Sequence, residues 1–263
     1  MIRSAAILAV VGIALSCSTE SPAQDNNTAP LRIFIRGGAK THGPGEHDHP
    51  QFLKDWTELL RERGAVVDGA LAFPTGEQLA KTDVLVMFAA EAGTIEPADR
   101  ANLETFTKRG GGIVAIHDAV CGKDPQWFKT VIGGAWEHGK SKFLNGMLCI
   151  YVQDYPHEIT RGVANFMMDD EIYWDLHLMP EARVIGTAFR TPHEITPQMW
   201  VYEKDGYRAF ANIQGHKYSS FSLPHYRALL LRGIAWAGKK PVDELVNYVA
   251  PPRPGRGTAS KKQ

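Results

Sequence analysis

Apolar residues along this chain fall into two alternating patterns. Residues 31–35 (LRIFI), 84–88 (VLVMF) and 113–116 (IVAI) are nearly continuous apolar runs that read as buried strands. Phe52, Trp56, Leu59 and Leu60 instead recur at helical spacing, up to a stop at Gly64. Residues 66–73 read as a second extended segment, and residues 97–108 as a helix opening on proline and acidic side chains. Strands that are apolar throughout belong to parallel sheets covered by helices on both faces. The second half is more mixed: residues 147–152, 182–189, 199–203 and 208–213 read as strands, some antiparallel, and residues 224–238 as a long closing helix. The pattern predicts an α/β fold, an open doubly wound mostly parallel sheet flanked by helices.

Ligands of such sheets sit outside the carboxyl ends of the strands. The first strand ends in the loop RGGAKTHGPGEHDH (residues 36–49), which holds His42, His47, His49, Glu46 and Asp48. The next apolar strand ends in Glu91, the one after it in His117-Asp118, and residues 208–213 lead to Gln214-Gly215-His216. Four strand ends thus deliver titratable groups to one edge. Asp118 has a local alternative as the cap of a following helix, and Gly215 permits a sharp turn before His216. Gly133-Gly134-Ala135-Trp136-Glu137-His138 places an indole, suited to the apolar face of a sugar ring, beside a histidine. In the run DDEIYWD (residues 169–175) an extended backbone would put Glu171 and Tyr173 on one face and Asp170, Ile172 and Trp174 on the other.

The first loop matches neither a phosphate-binding nor a dinucleotide fingerprint. Its histidines leave two chemical readings open: metal ligation, with His42 and His47 as ligands of a divalent ion, or proton transfer. A plain polar surface loop is the third reading. No other cofactor is signalled, and His49, beside Pro50, reads as structural.

Composition narrows the partner. The chain has 263 residues, 44% of them hydrophobic, with 29 basic and 29 acidic side chains. No basic stripe interleaved with aromatics occurs, so nucleic acid and anionic membrane surfaces are excluded as expected partners; a small molecule is expected. Residues 1–23 read as a signal peptide, one basic residue followed by an apolar run too short for a transmembrane span of about 20 residues. Cys17 offers a lipoprotein alternative. A flexible spacer (24–30), one domain (31–248) and a disordered tail (249–263) follow, in a protein exported to the periplasm or cell exterior. Cys121 and Cys149 leave open one disulfide or two packed thiols.

Together, the 37–49 loop, GGGIVAIH (110–117), Gly133-Gly134 with His138, Asp170-Glu171-Ile172-Tyr173 and Gly215-His216 resemble the ThuA-like (trehalose utilisation) family over about residues 31–240. The resemblance implies a fold like flavodoxin and the class I glutamine amidotransferases. In those amidotransferases a cysteine nucleophile occupies the turn where this chain has His117, so thioester chemistry is not expected. The family's association with sugars, notably 3-keto-disaccharides, implies proton abstraction at C2 followed by elimination, hydrolysis or isomerisation. On that reading His117 and His216 form an acid–base pair with Glu171 as base or orienting carboxylate, while Trp136, His138, Tyr173 and Glu91 hold the sugar. The alternatives are a non-catalytic periplasmic sugar-binding module and a metal-dependent hydrolase of another substrate.

Overall fold

The structure, a computed structural model, describes residues 29–152 and 157–246. The expected signal peptide, Cys17, most of the spacer and the tail lie outside the described residues. Eleven strands and five helices follow in chain order: β1 (Arg32–Gly37), α1 (His49–Glu62), β2 (Val66–Ala70), α2 (Gly76–Ala80), β3 (Val84–Phe88), α3 (Pro97–Lys108), β4 (Gly112–Ile116), α4 (Pro125–Ile132), β5 (Gly134–Ala135), β6 (Lys142–Val152), β7 (Phe166–Trp174), β8 (His177–Leu178), β9 (Arg183–Thr191), β10 (Glu194–Lys204), β11 (Tyr207–Asn212) and α5 (Pro224–Ala237). No helix among the described residues is long and apolar enough to cross a membrane.

Nine strands form one sheet in the order β2-β1-β3-β4-β11-β10-β9-β6-β7. The first five are parallel, in the order of a flavodoxin-like doubly wound sheet. The remaining four pair antiparallel and form a wing. Strand side chains alternate between two cores, as the pleat requires. Ile33, Ile35, Val84 and Val86 pack with α1 and α5 on one face; Phe34, Leu85 and Met87 pack with α2, α3 and α4 on the other. Helix α1 buries Phe52, Trp56 and Leu60, spaced by four, and the Phe52 ring meets Phe88 and Phe221 at 4.8 and 4.9 Å. Each such side chain contributes about 1.5–3 kcal/mol of burial, which fixes the start of α1 directly below the histidine loop.

The wing carries the main departure from the strand boundaries read in the sequence. Strands β6 and β10 each run 11 residues, several residues beyond their apolar cores. Backbone pairing, not apolar content, extends them: the β6 stretch from Lys142 to Met147 is registered against β7 from Trp174 to Asp169, although Phe143 and Leu144 are exposed. The wing also turns back on the sheet. Gln198 of β10 donates to the Tyr173 carbonyl of β7 (2.8 Å), and Gln214 donates to the Glu171 carbonyl (3.2 Å). Thus a strand at the far end of the sheet lies against the strand ends of its parallel half.

Candidate active site

The carboxyl ends of β1, β3, β4 and β11 lie side by side, and the expected groups gather above them. The loop after β1 is stitched to the segment after β11: His47 N–H donates to the His216 carbonyl (2.9 Å) and Tyr218 N–H to the Gly45 carbonyl (2.8 Å). A cleft of about 520 Å³ opens here, lined by His42, Glu46, His47, Glu91, Asp118, Cys121, Trp136, His138, Phe143, Asn145, Glu171, Tyr173 and His216.

His117 forms the floor, fully buried. It starts a short 3-10 turn after β4 with φ at +55°, in the left-handed region. His42, His47 and Glu91 share that backbone conformation, at +62°, +46° and +53°. Such geometry in residues other than glycine costs about 1–2 kcal/mol each and clusters where function requires it. The His117 ring is held by its Nδ1, which faces the Ile213 carbonyl at 2.8 Å. Its Nε2 points to His47 Nε2 at 3.1 Å, and His47 Nε2 lies 2.9 Å from His216 Nδ1. Three ring nitrogens, one from each residue, lie within 4.8 Å of one another; these are the side chains that could hold a metal ion.

Carboxylates surround the rings. His47 Nδ1 faces Asp118 Oδ2 at 3.1 Å and Thr41 Oγ1 at 2.9 Å, and His216 Nε2 lies 3.5 Å from Glu46 Oε1. Glu171 reaches in from β7, with its carboxylate 3.5 Å from His216 Nδ1 and 3.9 Å from His117 Nε2. Burial pushes Glu171 up to about 7, helped by the neighbouring Asp170 and Asp118 charges. Burial drives His117 down to about 3 against the pull of Asp118, and also lowers His216, with His47 adding to the effect. For Asp118, burial alone would raise the carboxyl, but the hydrogen bond from His47 and the nearby His117 hold it well below the usual range. The neutral form is therefore favoured for His117 and His216, and the ionised form for Asp118.

Tyr173 and Trp136 form one wall, with ring centroids 4.6 Å apart. Tyr173 donates its hydroxyl to Asp118 Oδ1 at 2.9 Å, while its oxygen lies 3.4 Å from His117 Nε2. At the rim His138 Nε2 meets Glu91 Oε1 at 2.8 Å, and Trp136 Nε1 approaches His138 Nδ1 at 3.4 Å. Extended β7 places Glu171 and Tyr173 toward the cleft. It leaves Asp170 buried behind them, accepting from the backbone N–H of Glu171, Gly215 and His216 and from the Ser220 hydroxyl. Burial raises Asp170 to about 6, with those hydrogen bonds opposing.

His47 lies in the imidazole cluster, but His42, paired with it in the sequence as a metal ligand, does not. Its exposed ring lies tilted against His47, centroids 3.8 Å apart, and its Nδ1 is held by Thr41 Oγ1, so its nitrogens stay outside the convergent set. His49 is buried under the loop with Nδ1 at 2.9 Å from the Ala39 carbonyl. Asp118 is not a helix cap but the partner of His47 and Tyr173, a role foreshadowed only by its place after His117. Asp170 and Gln198 carried no chemical signal in the sequence. Cys121 is a free, buried thiol at the cleft, raised well above its usual value by burial and by surrounding carboxylates, the opposite of what an activated nucleophile needs.

Among solved structures, a ThuA-like protein from Bacteroides uniformis shares 20% identity at a TM-score of 0.62, covering 83% of this chain and 95% of that one. A ThuA-like protein from Parabacteroides merdae shares 16% identity at 0.65, covering 85% and 94%. The β-galactosidase of Bacillus circulans sp. alkalophilus aligns at 12% identity and 0.55, covering 81% of this chain but 32% of the enzyme. At these identities the likeness is one of fold. No curated protein matches the chain. The sequence profile of the ThuA family, described as trehalose utilisation, matches residues 39–237, a span that begins within the histidine loop, ahead of His42, and reaches the end of α5. It takes in every side chain of the cleft, and the chain belongs to the ThuA family.

Proposed function

We propose that this protein is an exported carbohydrate-active enzyme that removes the proton beside the ketone of a 3-keto-glycoside, with Glu171 as the base. The observation that carries the reading is the placement of Glu171. One carboxylate enters a cleft walled by Trp136 and Tyr173 and lies within 4 Å of two imidazoles, those of His117 and His216, which in turn meet His47. Family membership supports a carbohydrate as substrate.

The chemistry follows from the substrate class. A ketone at C3 acidifies the C2–H bond. Glu171 takes that proton, the bond's electrons form the enolate, and negative charge develops on the C3 oxygen. Stabilising that charge is the larger part of such catalysis, and the imidazole cluster opposite Glu171 is where the oxygen would lie. Collapse of the enolate expels the C1 substituent, and the protonated Glu171 returns its proton to the leaving oxygen. Trp136 packs on the ring's apolar face, while His138, His42 and Glu91 at the rim bond hydroxyls. His117 and His216, the acid–base pair that the family resemblance implies, here face the oxygen that becomes charged, and the general base is the carboxylate.

The test is incubation with 3-keto-disaccharides in deuterated water, followed by NMR. Expected are deuterium at C2 of the remaining substrate, through return of the enolate, and release of the C1 substituent. Glu171→Gln should lower both by about 10²–10⁴-fold, the usual contribution of a positioned base, with substrate binding retained. Binding without exchange or product in the wild-type protein would point to a sugar-binding module; full activity in Glu171→Gln would remove Glu171 as base.

A further inference from the structure

We propose that His47 Nε2, His117 Nε2 and His216 Nδ1 bind one divalent transition-metal ion, of the borderline class to which zinc belongs, with a coordination position open to the cleft. The argument rests on where the protons must be. A carbonyl oxygen only accepts, so the His117 Nδ1 that faces Ile213 at 2.8 Å carries the proton and Nε2 is a bare lone pair. His47 Nδ1 faces the Asp118 carboxylate, an acceptor, at 3.1 Å, which places its proton on Nδ1 and leaves Nε2 bare. His216 presents Nε2 to Glu46 and turns Nδ1 inward. Three lone pairs then converge at 2.9 and 3.1 Å, with the Glu171 carboxylate beside them. With Nδ1 of both His117 and His47 protonated, His216 can bring at most one N–H to the three facing nitrogens, so at least one lone pair is left facing another. A single shared proton satisfies one pair of these nitrogens; a cation satisfies all three.

The distances suit an ion. Zinc–nitrogen bonds of about 2.0–2.1 Å in tetrahedral array put ligand nitrogens about 3.3 Å apart; the two short separations, 2.9 and 3.1 Å, need only open by a few tenths of an ångström, and all three nitrogens already lie within 4.8 Å of one another. Each outer ring nitrogen already has the partner that orients metal-bound histidines: Asp118 for His47, the Ile213 carbonyl for His117, Glu46 for His216. Neutral imidazoles select a borderline ion over magnesium or calcium, which prefer oxygen. Three histidines with one free position make an open, catalytic type of site. Binding of the ion stands by itself. Its chemical role, as the electrophile that holds the C3 oxygen while Glu171 takes the proton, rests on the reading above.

The full chain, stripped with chelator and dialysed, is titrated with Co²⁺ and with Zn²⁺ by calorimetry, and with Co²⁺ by its visible spectrum. Expected is one ion per chain, with the intense absorption of a low-coordinate cobalt centre. His47→Gln, His117→Gln and His216→Gln should each weaken binding by at least about 100-fold, and Asp118→Asn by about 10–100-fold. His42→Ala should leave stoichiometry and affinity in place. Far-UV circular dichroism of each stripped variant reports folding; should a histidine variant unfold, Asp118→Asn and His42→Ala still decide the matter. Failure of the folded wild-type chain to bind either ion at micromolar concentration would overturn the site, as would affinity unchanged by Asp118→Asn and by the folded histidine variants. Glu171→Gln separates the two claims: bound metal with activity lost supports both, while bound metal with activity intact sinks the base and leaves the metal site standing.

Discussion

His157 shows how a single side chain outside the cleft sets a limit on the acid stability of the fold. Its ring is buried, 5.5 Å from Trp236. Burial is the largest cause that lowers it to about 4; Arg183 and Arg208 add to the effect and Glu203 opposes it. The folded chain thus resists a proton that the unfolded chain accepts near 6.5. The corresponding stability is fully present above about pH 6.5 and is lost as pH falls toward 4. With solvent screening allowed for, the loss should be about 1 kcal/mol. Denaturant unfolding at pH 7 and pH 4 measures it, and His157→Asn should flatten the difference between the two pH values by that amount. An unchanged slope would place the acid sensitivity elsewhere.

Helix α5 illustrates control at the level of an element. It packs against β11 through Gly233, where a Cβ would overlap the Phe210 ring, itself fully buried. Alanine for glycine inside a helix ordinarily stabilises by about 1 kcal/mol. Gly233→Ala should instead destabilise by about 1–3 kcal/mol, and Phe210→Leu added to it should recover part of the loss, a coupling that a double-mutant cycle reads. Helices of this kind were legible in the sequence: residues 97–108 are α3 and 224–237 are α5, because their periodicity and proline starts are local signals. The short α2 and α4 were not, since five and eight residues carry little periodicity. Their ends rest on capping instead, the Thr75 and Gln78 box in α2 and the Asp124 side chain in α4.

For the molecule as a whole, the parallel strands and the residues at their ends could be read from sequence, because a doubly wound sheet dictates where its strand ends meet. The return of the wing could not. Nothing local in DDEIYWD says that β7, at the far edge of the sheet, comes back to the end of β11; buried polar contacts from Asp170, Gln198 and Gln214 bring it there. Asp170 is the tie whose removal tests this. Asp170→Ala leaves the N–H groups of Gly215 and His216 without their acceptor and should cost about 3 kcal/mol or more, whereas Asp170→Asn keeps an accepting oxygen and should cost about 1 kcal/mol; chemical denaturation ranks them. The left-handed backbone of His42, His47, Glu91 and His117 has a consequence on the same scale. Four residues that serve the cleft each hold a conformation that glycine would adopt freely, so at these positions thermal robustness and chemistry pull in opposite directions. Selection for heat tolerance alone would erode the cleft one side chain at a time while the rest of the fold improved.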